Sequence, residues 1–214
     1  MTSPDTGSFS GRFPGFDVLD QSGHWDPVTT GVVLQRVGMA ADIRFFTPFE
    51  QAVATALCDA LLAQEGDAGQ QSRVPIVNLI DARLAEQQTD GWRYHDMPAD
   101  GQAWRDTLAA LDADANERFA TGFATCQGPH QASLIQAVQD RGAGQWHGLN
   151  AAHVWSLWTR YACTAFYSHP LAWNEMGFPG PAYPRGYKNA GVDKLEPFEV
   201  HDAKPTDDPV RRQR

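Results

Sequence analysis

Seven histidines, His24, His95, His130, His147, His153, His169 and His201, are the first residues to test for chemistry, because imidazole binds metals and moves protons near neutral pH. None belongs to an HExxH pattern, and none stands three or four residues from another His or a Cys. His147 and His153 are six apart, which on a helix puts them on different faces. Spacing therefore names no metal site, and clustering in space stays open. Nucleophiles are no better marked. There is no GxSxG, and Cys58, Cys126 and Cys163 are far apart, without CxxC or CxxCH. Three scattered thiols also fall short of the four that hold an iron–sulfur cluster. No GxGxxG follows a strand and no GxxxxGK[ST] occurs, so no flavin, nicotinamide or nucleotide site is recognisable. The expectation is a chain with no catalytic residue, cofactor or metal of its own.

The strongest constellation left is aromatic. Trp146, Trp155, Trp158, Tyr161, Phe166, Tyr167, Trp173, Phe178, Tyr183 and Tyr187 crowd into residues 146–187. Such rings build either a core or a subunit interface, where Trp, Tyr, Met and Arg are enriched. Residues 177–187 read GFPGPAYPRGY. Three prolines forbid helix there, and the rings argue against a disordered linker. The segment reads as an ordered extended arm packed on a surface of this chain or of a partner.

The elements that would position these residues are helical. Thr47-Pro48-Phe49-Glu50 has the form of a capping box with Pro at the first helical position. Val53, Leu57, Leu61, Ala54, Cys58 and Leu62 follow on one apolar face, with Gly66 as the stop. Pro75 opens a second helix and Pro98 a third, which carries Trp104, Leu108 and Leu111; a short fourth covers Asp112 to Phe123. Gly128-Pro129 introduces a fifth, and Asn150 caps a last helix to about Phe166. That helix is apolar over well over half its circumference, so it is central or covered. Gly31-Val-Val-Leu-Gln-Arg-Val37 reads as a short β-like run in an otherwise irregular start. The expected fold is mainly α: a single-domain helical bundle of five or six helices. Its parts are an irregular N-terminal arm (1–44), the bundle (45–167), an extended Pro/Gly/aromatic docking arm (168–200) and a frayed polar tail (201–214).

Composition narrows the function classes. The hydrophobic fraction is 42%, ample for a packed core. Seventeen Lys and Arg against 26 Asp and Glu give a net charge of −9, which disfavours nucleic acid. The one dense basic run, Arg211, Arg212 and Arg214, reads as a solvated tail. No stretch approaches the roughly 20 apolar residues that span a bilayer. The first residues lack the basic and apolar regions of a secretory signal, so a cytoplasmic location is expected, with export on a partner's signal as the alternative.

The run from Tyr161 to Tyr187, YACTAFYSHPLAWNEMGFPGPAYPRGY, resembles the gluconate 2-dehydrogenase subunit 3 family. In that family a helix ends, a short turn with Pro follows, and Trp precedes Gly-[Phe/Tyr]-Pro-Gly-Pro. Phe45-Phe46-Thr47-Pro48 with Glu50, and Phe123 to Gln131, match more weakly. The resemblance implies a helical, non-catalytic accessory subunit. Its partner would be a large flavoprotein of the glucose–methanol–choline group that holds FAD, sometimes joined by a cytochrome c. The complex would oxidise a sugar, polyol or sugar acid. Two departures stand out: a twin-arginine export signal is missing, and Ser168-His169-Pro170-Leu171-Ala172 replaces a common Gly-Gly-Asn turn. On this reading the docking residues are Trp173, Met176, Phe178, Pro179, Tyr183, Arg185 and Tyr187, and His169 at the helix exit approaches the partner's active site. The alternative is a stand-alone small-molecule or metal-dependent protein with a histidine site formed only in space.

Overall fold

Prolines and capping side chains decide where the helices begin. The structure, a computed structural model, describes residues 12–38, 42–64, 73–189 and 191–206. Among these, seven α-helices occur: α1 (Pro27–Val37), α2 (Pro48–Leu62), α3 (Ile76–Ala85), α4 (Asp100–Phe119), α5 (Gly128–Asp140), α6 (Ala151–Tyr167) and α7 (Pro170–Met176). A two-residue hairpin, β1 (Gln145–Trp146) against β2 (Leu149–Asn150), is antiparallel. The fold is mainly helical, as expected, with 56% helix and 2% strand. The chain forms two compact units, one of residues 40–166 and the other of the two flanking segments.

The unit of residues 40–166 is the bundle. Its α2 begins with the expected capping box, the Thr47 and Glu50 side chains each accepting a backbone N–H of the other residue, a device worth about 1 kcal/mol. The helix stops at Leu62, and Ala63 takes a left-handed φ of 52°; Gly66, the expected stop, lies outside the described residues. Asp81 on α3 is fully buried and ties down the start of the unit. Its carboxylate accepts the N–H groups of Arg44 (2.7 Å), Phe45 (2.9 Å) and Phe46 (2.8 Å). Ala152 N–H bonds the Asn150 side chain at 3.1 Å, so Asn150 marks the start of α6.

α6 is central. Val154, Leu157, Trp158, Tyr161 and Ala162 are all buried. Trp104 meets Phe46 and Tyr161 edge to face, with centroids at 6.0 and 5.9 Å. Two polar pairs lie in the core: Trp158 Nε1 donates to Thr107 Oγ1 at 3.0 Å, and Tyr161 Oη donates to Asp100 Oδ2 at 2.6 Å; the buried Trp104 Nε1 has no hydrogen-bond partner among the described residues. Burial, with the Asp100 contact behind it, pushes the Tyr161 phenol well above its ordinary range.

Several elements differ from the sequence reading. The third and fourth expected helices are one, the 20-residue α4. Ala109 to Asn116 is alanine-rich, and no Gly or Pro occurs between Gly101 in the first turn and Gly122. The β-like run Gly31–Val37 is instead the body of α1. Asp26 caps that helix through Val28 and Thr29 N–H, and Pro27 sits in its first turn. The start signal there outweighs the β preference of three valines. The Thr29 hydroxyl and N–H hold the Asp26 carboxyl below its usual range. Residues 18–24 form a 3-10 helix, so the N-terminal segment is ordered over much of its described length. The expected C-terminal arm likewise begins as helix α7. The basic run at 211–214 lies outside the described residues.

Candidate functional site

The aromatic segment after α6 belongs to the unit built from the two flanking segments. Ser168 and His169 leave α6, and Pro170 starts α7 at its first position. His169 is the cap: its Nδ1 accepts Leu171 N–H at 3.2 Å. The same ring hydrogen-bonds the Arg36 backbone, and Arg36 Nη1 donates to the Ser168 carbonyl at 2.8 Å. Burial lowers the His169 pKa below its ordinary value; the Arg36 charge acts in the same direction, and the hydrogen bond opposes both.

α7 presents Trp173 inward. The indole is 5% exposed and packs with Val18, Trp25 and Val33. Its Nε1 donates to the Tyr167 carbonyl at 2.7 Å, satisfying a helix-end acceptor of α6. Asn174 accepts Val18 N–H at 2.7 Å. The Gly-Phe-Pro-Gly motif that follows has a steric origin. Gly177 has φ +67°, and a Cβ there would lie 2.5 Å from the Phe13 ring. Gly180 has φ +78°, and its Cβ would lie 2.5 Å from the Trp25 ring. Both positions need the left-handed backbone and the missing side chain. The motif thus fits against residues 13–25 of its own chain.

Against the expected docking set, His169, Trp173 and Pro179 are buried within the chain rather than exposed. His169 in particular faces α1 rather than outward, because its ring is needed to cap α7. Arg185 is half-buried, with Nη1 on Gln21 Oε1 at 3.1 Å and its guanidinium 3.7 Å from the Phe198 ring centroid. The exposed members are Met176 (43%), Phe178 (36%), Tyr183 (69%) and Tyr187 (56%). Sequence reasoning missed further exposed side chains of the same unit on α1, Val28, Val32, Leu34 and Val37, because that segment read as irregular. Of the thirteen exposed large hydrophobic side chains among the described residues, all but Phe49 and Trp92 lie in this unit.

Three histidines elsewhere are separately engaged. His147 meets Asp114 at 2.7 Å, His153 meets Asp96 at 2.8 Å while stacking on Tyr94, and His130 stacks on Phe119. Among the described residues no group of three or more His, Cys, Asp or Glu could hold a metal ion. Cys58 and Cys126 are buried and Cys163 half-buried, all as free thiols, and burial raises the pKa of each.

Residues 48–180 match the family described as gluconate 2-dehydrogenase subunit 3. The chain belongs to that family. The match runs from α2 through α7 to Gly180, so it covers both motif glycines but stops short of Tyr183 and Tyr187. No curated protein and no solved structure matches the chain. Membership in the gluconate 2-dehydrogenase subunit 3 family makes the chain a subunit, so partner subunits are implied. No helix among the described residues is long and apolar enough to cross a membrane.

Proposed function

We propose that this chain is the non-catalytic small subunit of a flavin-dependent dehydrogenase acting on a sugar, polyol or sugar acid. It docks on a large subunit of the glucose–methanol–choline type, which holds FAD and the catalytic groups; a cytochrome c is an optional third member. The observation that carries the docking reading is the concentration of exposed large hydrophobic side chains on the unit formed by the two flanking segments. Rings and aliphatic side chains gathered on one unit are what a subunit interface requires, since a few buried anchors dominate association. Met176, Phe178, Tyr183 and Tyr187 supply anchors, and α1 adds aliphatic area.

The test is co-expression with a large flavoprotein of the glucose–methanol–choline type, followed by co-purification. Tyr183→Ser and Tyr187→Ser, combined with Met176→Ser, leave the buried core of the unit untouched. The combined variant should keep its helical content and lose at least roughly thirtyfold in affinity, the equivalent of one anchor worth about 2 kcal/mol. Normal complex yield from the folded variant overturns the docking reading. Stoichiometric flavin retained by this chain purified alone overturns the non-catalytic one.

A further inference from the structure

The bundle unit contains a hollow apart from the proposed docking residues. Its volume is about 860 Å3, within the range of small-molecule sites. It lies between the loop after α3 and the start of α4. Three guanidinium groups line it, Arg44, Arg83 and Arg105, against a single carboxylate, Asp100. The carboxylates that pair with these arginines, Glu86, Asp90 and Glu50, do not line the hollow. They orient the cations without filling the space.

Each arginine is held at one edge. Arg44 Nη2 bonds Glu86 at 2.7 Å, and Arg83 Nη2 bonds Asp90 while its guanidinium lies 5.0 Å from the Tyr161 ring centroid. Arg105 Nη2 donates to the Phe45 carbonyl at 3.0 Å, with the guanidinium 4.5 Å from that ring centroid. A guanidinium has five N–H donors, so each keeps donors for a ligand. Asp100 is occupied on its other side by the Tyr161 hydroxyl at 2.6 Å, with Arg160 at 3.7 Å. The 20-residue α4 begins at this wall, and its cap position is Ala99, which has no side-chain acceptor to offer. Its first-turn N–H groups and dipole add to the positive field.

Amide side chains share the lining: Gln87, Gln88 and Gln102. A smaller hollow of about 360 Å3 shares Thr89, Ala99 and Asp100 with the first and adds Arg93 and the half-exposed Trp92. Neutral donors and acceptors beside cations fit hydroxyl groups next to a carboxylate, and an indole offers a face to a carbon chain. We propose that this hollow binds a small polyhydroxy carboxylate, its acid group on the arginines and its hydroxyls on the glutamines. The site lies wholly in the bundle unit and does not depend on docking.

The test uses the full chain without a partner, so it can fail while docking stands, and the reverse. Sodium gluconate is the probe, as a small carboxylate with a hydroxyl on each remaining carbon; glucose and inorganic phosphate are the comparisons. Titration followed by calorimetry and by the Gly101 and Gln102 amide resonances should saturate with gluconate at a dissociation constant of about 1 mM or tighter. Glucose and phosphate should each bind at least roughly tenfold more weakly. Arg44→Gln and Gln88→Ala, both at exposed positions, should each weaken gluconate binding by several fold with helical content unchanged; Arg105→Gln should do so more strongly. No saturation with gluconate overturns the proposal. So does equal binding of phosphate, which would make the hollow a reader of bare charge, or unchanged binding by the folded Arg44→Gln and Gln88→Ala variants.

Discussion

Replacing Trp173 by alanine separates a core role from a docking role. The indole is 5% exposed and is enclosed by Val18, Trp25 and Val33. Removing a buried Trp side chain costs about 3–5 kcal/mol, with the upper end reached where the cavity cannot collapse. Here the surroundings resist collapse. Gly177 and Gly180 already hold the Phe13 and Trp25 rings at closest approach, and Asn174 fixes the Val18 backbone. The substitution also removes the edge-to-face contact with Phe178 at 5.5 Å and leaves the Tyr167 carbonyl without the indole N–H. These losses overlap with the cavity cost, so about 4 kcal/mol is the working figure. Urea denaturation of the full chain, followed by far-ultraviolet circular dichroism and by proteolysis within residues 12–38, reads it. The variant should unfold its flanking-segment unit at markedly lower urea. A loss below about 1 kcal/mol, in the range of ordinary surface substitutions, would refute the packing argument and return Trp173 to the list of interface anchors.

Gly177→Ala and Gly180→Ala should each cost about 2–4 kcal/mol in the same denaturation assay, since each combines a left-handed backbone with a ring clash; Gly186→Ala, at φ +71° with open space, should cost only the backbone part. Asp81→Asn should lose about 1–3 kcal/mol by thermal melting, because an amide cannot accept three N–H groups through two oxygens and leaves a buried donor unpaired. His169 sets a pH dependence. Its folded pKa lies below the ordinary 6.5, so the unfolded chain binds the proton more readily. Its contribution is therefore intact above about pH 6.5 and is lost as pH falls from there toward the folded pKa. Melting temperature across that interval should fall less in His169→Asn, which keeps a capping side chain but cannot be protonated. Cys58, 1% exposed with its thiol pushed up by burial, should react with a thiol reagent only on unfolding.

Local chemistry made much of the bundle legible. The Thr47–Glu50 capping box, the Pro75 and Gly128-Pro129 starts and the apolar periodicity of α6 are short-range signals, and each appears in the structure where the sequence put it. Boundaries set by absence were harder: α4 continues through Asp112 because nothing breaks it. α1 shows two local signals in conflict, a capped proline start and a run of β-branched residues, and burial of Val33 against Trp25 and Trp173 favours the helix. Seven positions of α7 turned helical for a similar reason, with His169 supplying the cap.

The sequence alone determined that residues 161–187 carry a family motif, that the chain is helical, and that aromatic residues crowd its C-terminal part. Motif glycines and prolines are visible because they restrict the backbone wherever they stand. Which surface the rings would meet was a tertiary question. Trp173 and Tyr183 are both aromatic residues of one segment, yet one is 5% exposed and the other 69%. The difference comes from residues 13–33, more than a hundred positions away in sequence, which close over Trp173 and leave Tyr183 uncovered. The arginine-lined hollow has the same character, for Arg44, Arg83 and Arg105 share no motif and meet only because the segment before α2, α3 and α4 come together there. Burial depends on contacts between distant segments, and spacing along the chain does not encode those contacts.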